Sequence, residues 1–217
     1  MRVLVACEFS GVVRDAFIER GHSAISCDLL PCESDKGMHI QGNLLGNGGL
    51  YATINRSLGD GWEPDLIIAH PPCTYLCNSG VRWLYYGGKG NIRNAERWSK
   101  MEEAAAFFKC MLASPAPYVA VENPIMHRHA SDIIGRGPDQ LIHPWQHGHG
   151  ETKSTGLWLK NLPLLRPSQI VKGREARVHR ASPGPDRWKE RSRTLPGIAA
   201  AMADQWGNSA MANASVD

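Results

Sequence analysis

One short stretch limits the folds open to this chain more than any other. Four apolar residues, Leu66-Ile67-Ile68-Ala69, follow Asp65 and run straight into His70-Pro71-Pro72-Cys73. The apolar run reads as a buried strand. Each proline fixes its own φ and disfavours helix in the residue before it, so the backbone past the strand is stiff and extended. Cys73 is thereby held at the carboxyl end of a strand, where open α/β sheets place their ligands. A thiol in a rigid loop at that position is a candidate nucleophile; the competing reading is a buried cysteine packing as a small hydrophobe.

The rest of the chain is compatible with one ordinary α/β domain. Its 217 residues, 42% hydrophobic and 21% charged, suit a soluble globular protein with a real core. No apolar run approaches the roughly 20 residues that span a bilayer, so no membrane partner is expected. The N-terminal run Met1 to Cys7 looks like a first strand, too short for a signal peptide and followed at once by Glu8. A cytoplasmic location with reduced thiols is the corresponding expectation. The six cysteines (Cys7, Cys27, Cys32, Cys73, Cys77, Cys110) have no framework or paired CxxC spacing, so no metal site is expected. Net charge is only +3, but it is unevenly spread: Arg166 to Arg193 holds nine Lys or Arg against three acids. Such a segment is either a solvated loop face or a phosphate-binding surface.

Taken in order, residues 2–7 predict a strand that turns through Glu8-Phe9-Ser10-Gly11 into a helix over Val12 to Glu19. Strand, glycine turn and helix form the opening unit of a nucleotide-binding α/β fold, although the full GxGxxG pattern is absent. Ser23 to Cys27 reads as a second strand ending in Asp28, an acid placed to accept hydrogen bonds from a ribose or to cap a turn. A short third strand is expected within His39 to Leu44. A helix follows from about Leu50 to Leu58, after the glycine-rich turn at 46–49. The segment Thr74 to Asn94, with Arg82, Lys89 and Arg93, is a long irregular connection that reads as a lid over Cys73. Ala95 to Leu112 has helical periodicity. Tyr118 to Val121 is a further strand running into Glu122-Asn123-Pro124. Late strands are expected at Gln140 to Trp145 and Gly156 to Leu159, with a closing helix over Pro196 to Trp206. Residues 1–210 form one domain on this reading, and 211–217 a disordered tail. The alternation predicts a doubly wound, mostly parallel sheet with helices on both faces.

Phe9-Ser10-Gly11, Asp28, Pro71-Pro72-Cys73 and Glu122-Asn123-Pro124 all fall at strand or turn ends, which share one crevice in this fold class. A free cysteine titrates near 8.5, so a thiolate there needs help from a cation or a helix end. Glu122 is a candidate proton donor if burial raises its pKa, and otherwise a cap or ion-pair partner.

In these pieces and their order the chain resembles the S-adenosylmethionine-dependent DNA cytosine-5 methyltransferases, and more narrowly small phage and prophage proteins of that type. Phe9-Ser10-Gly11 matches the first cofactor motif, Asp28 the second, Pro71-Pro72-Cys73 the catalytic loop, and Glu122-Asn123-Pro124 the place of the family's Glu-Asn-Val. Arg193-Thr194-Leu195-Pro196 and Gln205 to Ser209 look like its two closing motifs run together. The resemblance implies a Rossmann-like methyltransferase fold with S-adenosylmethionine held by Phe9, Ser10, Gly11, Asp28, Asn43, Pro71 and Asn208. It implies Cys73 as the nucleophile that adds to C6 of cytosine and Glu122 as the group that holds or protonates N3. Pro72, Asn123, Lys153 and Arg82 would meet the substrate, with Asn123 orienting the Pro-Pro-Cys loop. DNA, double- or single-stranded, is the implied partner, and a duplex target has to be flipped out.

The chain also departs from the family. The glycine turn lacks a second glycine, and Asn43 stands where an acid is common. Glu151-Thr152-Lys153-Ser154-Thr155 replaces Gln-x-Arg-x-Arg, and only about 30 residues, roughly 161–192, occupy the place of a target-recognition domain. A free nucleotide or RNA as substrate, an amino-group methyltransferase, and a non-catalytic cofactor- or DNA-binding protein therefore stay open. Oligomeric state is not legible.

Overall fold

The computed structural model describes residues 1–44, 49–59, 61–88, 92–177, 184 and 187–214, with the side chains of Tyr51, Glu190 and 208–214 left out. Five strands, β1 (Arg2–Ala6), β2 (Ser23–Asp28), β3 (His39–Gln41), β4 (Leu66–Ala69) and β5 (Tyr118–Pro124), run parallel. β7 (Thr155–Lys160) is inserted antiparallel to β5, and β6 (Gln140–Ile142) pairs antiparallel with β7 at the edge. The sheet order β3-β2-β1-β4-β5-β7-β6 reverses direction of growth at β1 and β4. That is the topological switch point at which doubly wound sheets open a ligand crevice. The architecture is the Rossmann-like methyltransferase fold expected of the sequence.

Alternation along the strands builds two cores. Leu4, Ala6, Ile25, Cys27, Ile67, Ala69, Val119 and Val121 pack with Leu50 and Ile54 of α2 (Gly49–Leu58), with Met101, Ala105 and Phe108 of α3 (Ala95–Leu112), and with Ala130 and Ile134 of α4 (Arg128–Ile134). The intervening residues Val3, Val5, Ala24, Leu66, Ile68 and Ala120 pack on the other face. Their partners are Val13, Ala16 and Phe17 of α1 (Val12–Ile18) and Ile198, Met202 and Trp206 of the last helix. Every residue of β4 is buried, as a strand covered on both faces demands.

Several boundaries differ from the expectation. The late strand expected at Gln140 to Trp145 stops at Ile142, because Pro144 opens a turn of 3-10 helix in which Gln146 and His143 cap each other. α4 and α5 (Arg187–Ser192) have no counterpart in the sequence reading. The closing helix, α6, starts at Pro196 as expected but its backbone continues to Ala214, so the expected tail beyond Asn208 is helical at least that far. The glycine-rich turn falls largely outside the described residues, at 45–48, as do Lys89 and Arg180.

The start of α6 is locked to the loop after β6. The Gly197 N–H donates to Nε2 of His149 at 2.9 Å. A Cβ on Gly197 would drive into the His147 carbonyl oxygen and come within 3.0 Å of His149 Nε2. Because the obstacle is backbone, Gly197→Ala should cost roughly 1–3 kcal/mol or more. A urea titration is expected to show a lowered midpoint at an unchanged slope.

Candidate active site

The register of the sheet creates the site. Cys27, Ala6, Ala69 and Val121 are lateral partners across β2, β1, β4 and β5. The next residue on each chain is therefore set in one rank at the carboxyl edge: Asp28, Cys7, His70 and Glu122. Cys7 takes a left-handed φ of 59° and packs with the core on the α2–α3 face. Glu122 keeps the alternation of Ala120 and lies on the α6 side, where it lines a small open cleft with Lys153, Thr155, Arg191, Arg193 and Leu195.

His70 and Glu122 form the centre. Nδ1 of His70 lies 3.0 Å from Oε2 of Glu122, with only 8% and 14% of the two side chains exposed. Burial works against both charges. For Glu122 the hydrogen bond and charge of His70, with Lys153 and Thr155 beside it, outweigh burial and hold the carboxyl below its ordinary range. For His70, burial is outweighed by Glu122 and by Glu8, so the imidazole pKa rises. Glu8 is itself buried, and its carboxylate accepts from the N–H groups of Val13 (2.7 Å) and Arg14 (3.2 Å) at the start of α1. Burial raises its pKa, against the pull of His70 and those amides. Nε2 of His70 and Oδ1 of Asn123 are both buried with no hydrogen-bond partner.

The Pro-Pro-Cys loop is fixed from two sides. Asn123 donates from Nδ2 to the Pro71 carbonyl at 2.8 Å, so the two motifs at the ends of β4 and β5 are tied directly. His127 accepts the Ala130 N–H on Nδ1, capping α4, and donates from Nε2 to the Tyr75 carbonyl at 2.9 Å. Cys73 is half-buried, and its carbonyl accepts from Leu76 and Cys77 in a tight turn. Its thiol pKa is pushed up, first by interaction with Cys77, then by burial and the Glu122 charge, while Lys153 opposes this. Cys77 is the more acidic partner, because Cys73, the Ser79 hydroxyl at 3.0 Å and the amides of Ser79 and Gly80 stabilise its thiolate.

Lys153 donates to the Arg191 carbonyl at 2.8 Å. Pro72 is exposed at the loop tip. Arg82 is exposed and lies 4.3 Å over the Trp83 ring, apart from the bonded group around Glu122. The expected lid holds short 3-10 helices at Asn78–Leu84 and Tyr86–Gly88.

At the turn after β1, Gly11 has φ 74° at the start of α1, and a Cβ there would meet Arg14 and Ser34 within 3 Å. Phe9 and Ser10 are buried, and the Phe9 carbonyl accepts from Glu33. Trp188 of α5 lies 6.1 Å from the Phe9 ring, and Arg193 pairs with Glu33 at 2.7 Å. Asp28 is half-buried; one oxygen accepts the Leu30 N–H at 2.9 Å, and the other has no donor among the described residues. A ribose diol suits that free oxygen, so the donor set fits a nucleoside-bearing cofactor. Asn43 is exposed past the end of β3. The Asn208 side chain lies outside the described residues. Among the described residues no group of three or more His, Cys, Asp or Glu could hold a metal, and no helix is long and apolar enough to cross a membrane.

The sequence reading missed His70, Glu8, Thr155 and His127. The first two carried a usable signal: each is a polar residue within two positions of the end of an apolar strand. Fold and rank together define a crevice at the carboxyl edge of the sheet, at its topological switch point. No family model and no curated protein matches the sequence. Among solved structures the chain is similar to a candidate DNA modification methyltransferase encoded within an E. coli prophage, at 13% identity and a TM-score of 0.49. The match covers 79% of this chain and 52% of that one, so the chain spans about half that protein's length.

Protonation of His127 would destroy the acceptor that caps α4, and burial depresses its pKa. The sign follows: stability from neutral His127 is present above the unfolded value near 6.5 and is lost as pH falls through the lower folded value. His127→Asn, which can accept the same N–H without titrating, should flatten the fall in urea midpoint between about pH 6.5 and 5.

Proposed function

We propose that this chain is an S-adenosylmethionine-dependent DNA methyltransferase acting at C5 of cytosine. The observation that carries the reading is a half-buried thiol on a proline-stiffened loop at the end of β4, beside a buried carboxyl at the end of β5, with Asn123 bonding one loop to the other. Thiol, carboxyl and the open cleft beside Glu122 match what C5 chemistry needs. Cytosine C5 is a poor nucleophile until a thiolate adds at C6, so Cys73 supplies covalent catalysis. Glu122 takes N3 and draws off the charge that develops on the ring. Asn123 and the two prolines hold Cys73 in place for attack, and Pro72 and Lys153 meet the base or its phosphate. Arg82, on the segment after the loop, would reach the strand further out.

Phe9, Ser10, Gly11, Asp28, Asn43 and Pro71 would hold the cofactor, with Asp28 on the ribose; Asn208 is carried over from the family motif alone. When bound, S-adenosylmethionine supplies an electrophilic methyl group.

A second reading, a nucleotide or single-stranded nucleic acid as substrate, is favoured by the use made of the basic segment. Arg177 lies 3.7 Å from Glu151, Arg174 stacks 3.8 Å over Trp145, and Arg193 pairs with Glu33. Those cations are spent on the protein itself and leave less charge for gripping duplex phosphates.

Nucleoside mass spectrometry of DNA incubated with the chain and cofactor tests the proposal. Formation of 5-methylcytosine should be lost, by at least about a thousandfold, in Cys73→Ser. Product at the wild-type rate from that variant would sink the covalent mechanism, and methyl transfer to free nucleotide alone would select the second reading.

A further inference from the structure

The proton that cytosine N3 needs is not on Glu122 in the free chain, because that carboxyl is the ionised partner of a buried ion pair. We propose that His70 is a positioning residue that stores this proton behind Glu122 and passes it through the carboxyl to the base. The inference rests on the cytosine reading above and extends it to a residue outside the thiol–carboxyl pair.

Geometry carries it. Nδ1 is 3.0 Å from Oε2, and an ionised carboxylate only accepts, so a hydrogen sits on Nδ1. Among the described residues Nε2 is buried with no hydrogen-bond partner, so the second hydrogen of the imidazolium is met by the Glu122 and Glu8 charges and not by an acceptor. His70 follows β4 directly and its N–H donates to the Ala6 carbonyl at 2.9 Å, which fixes the residue in the rank. The charged groups acting on it are Glu122 from β5, Glu8 from the turn before α1, and Lys153 from the segment before β7. Two carboxylates against one ammonium favour the imidazolium, in agreement with the direction of its shift.

The balance closes. As the Cys73 thiolate bonds to C6, the C5=C6 π pair is delocalised through C4 to N3; Glu122 takes the Nδ1 proton of His70 and gives a proton on to N3, so the carboxyl ends ionised as it began and the imidazole ends neutral. When the C6–sulfur bond breaks, N3 returns its proton to Glu122, and the imidazolium re-forms. No oxidant or added acid is needed. The pair starts and ends with the same single proton.

Two measurements on the full chain test this. In ¹⁵N-histidine NMR, His70 should remain an imidazolium above the ordinary range near 6.5. Glu8→Gln, which keeps an acceptor for the Val13 amide, should lower its titration. A neutral His70 at pH 6 in the wild type overturns the proposal. The second measurement is release of tritium from C5 of DNA cytosine without cofactor, which reports addition at C6. Wild type should lose activity as pH rises through the His70 titration. His70→Asn should be slowed roughly a hundredfold and lose that alkaline limb, and Glu8→Gln should move the limb to lower pH. A His70→Asn chain that folds, by circular dichroism, and keeps the wild-type pH profile overturns the role. Should His70→Asn fail to fold, the Glu8→Gln limb decides, an unmoved limb counting against. No tritium release from wild-type chain would overturn the cytosine reading, and with it the relay, while the NMR titration would still report the charge of His70.

Discussion

The site depends on placing two carboxylates and an imidazole in one desolvated cluster at the carboxyl edge of the sheet. Burying such groups costs several kcal/mol per ion unless each is met by a partner. Here Glu8 is met by two helix amides and His70, and Glu122 by His70, Lys153 and Thr155. Removing any one leaves an uncompensated charge, so the cluster is energetically tense and its members are mutually required. The parallel register of β4 and β5 delivers His70 and Glu122 to one edge, and the turn between β1 and α1 brings Glu8 to them. A slip of one residue in β4 would send His70 to the opposite face and Pro71 into the rank.

From that rank the loops take their positions. Asn123 follows Glu122, and its amide binds the carbonyl of Pro71, which follows His70. Two adjacent strands thus fix both an ion pair and, one residue further out, the bond that aims the Pro-Pro-Cys loop. Below that loop, His127 ties Tyr75 to the start of α4. The thiol is held by backbone carbonyl bonds on both sides, in keeping with a loop supported by rigid elements.

Much of this was legible in the chain, and the failures have physical causes. Apolar runs at Val3-Leu4-Val5 and Leu66 to Ala69 announced buried parallel strands, and the prolines after β4 announced a stiff turn. α4 escaped because its seven residues, Arg-His-Ala-Ser-Asp-Ile-Ile, carry only two buried positions, Ala130 and Ile134. Its start is capped by a histidine, outside the usual Ser, Thr, Asp and Asn signature. α5 escaped because it lies in a segment whose composition is basic, with Trp188 against Phe9 as its aromatic contact to the rest of the fold. His70 and Glu8 could be placed by position but their partnership could not, since it joins residues far apart in sequence. The pKa of Glu122 is the sharpest case. Burial alone predicted a rise, and the direction reversed because a cation that only the fold supplies stands beside it.

The charge pattern also explains why the basic segment packs where it does. Interaction with Cys77, burial and the charge of Glu122 all raise the Cys73 pKa, and Lys153 opposes them. Lys153 is in turn held by the carbonyl of Arg191, at the end of α5. The position of α5 therefore bears on the state of a thiol that it does not touch. A neighbouring contact closes the same helix over the glycine turn, through Trp188 on Phe9 and Arg193 on Glu33. Tied to the Arg191 carbonyl, Lys153 is placed to act against the rise in the Cys73 pKa without being bonded to the thiol.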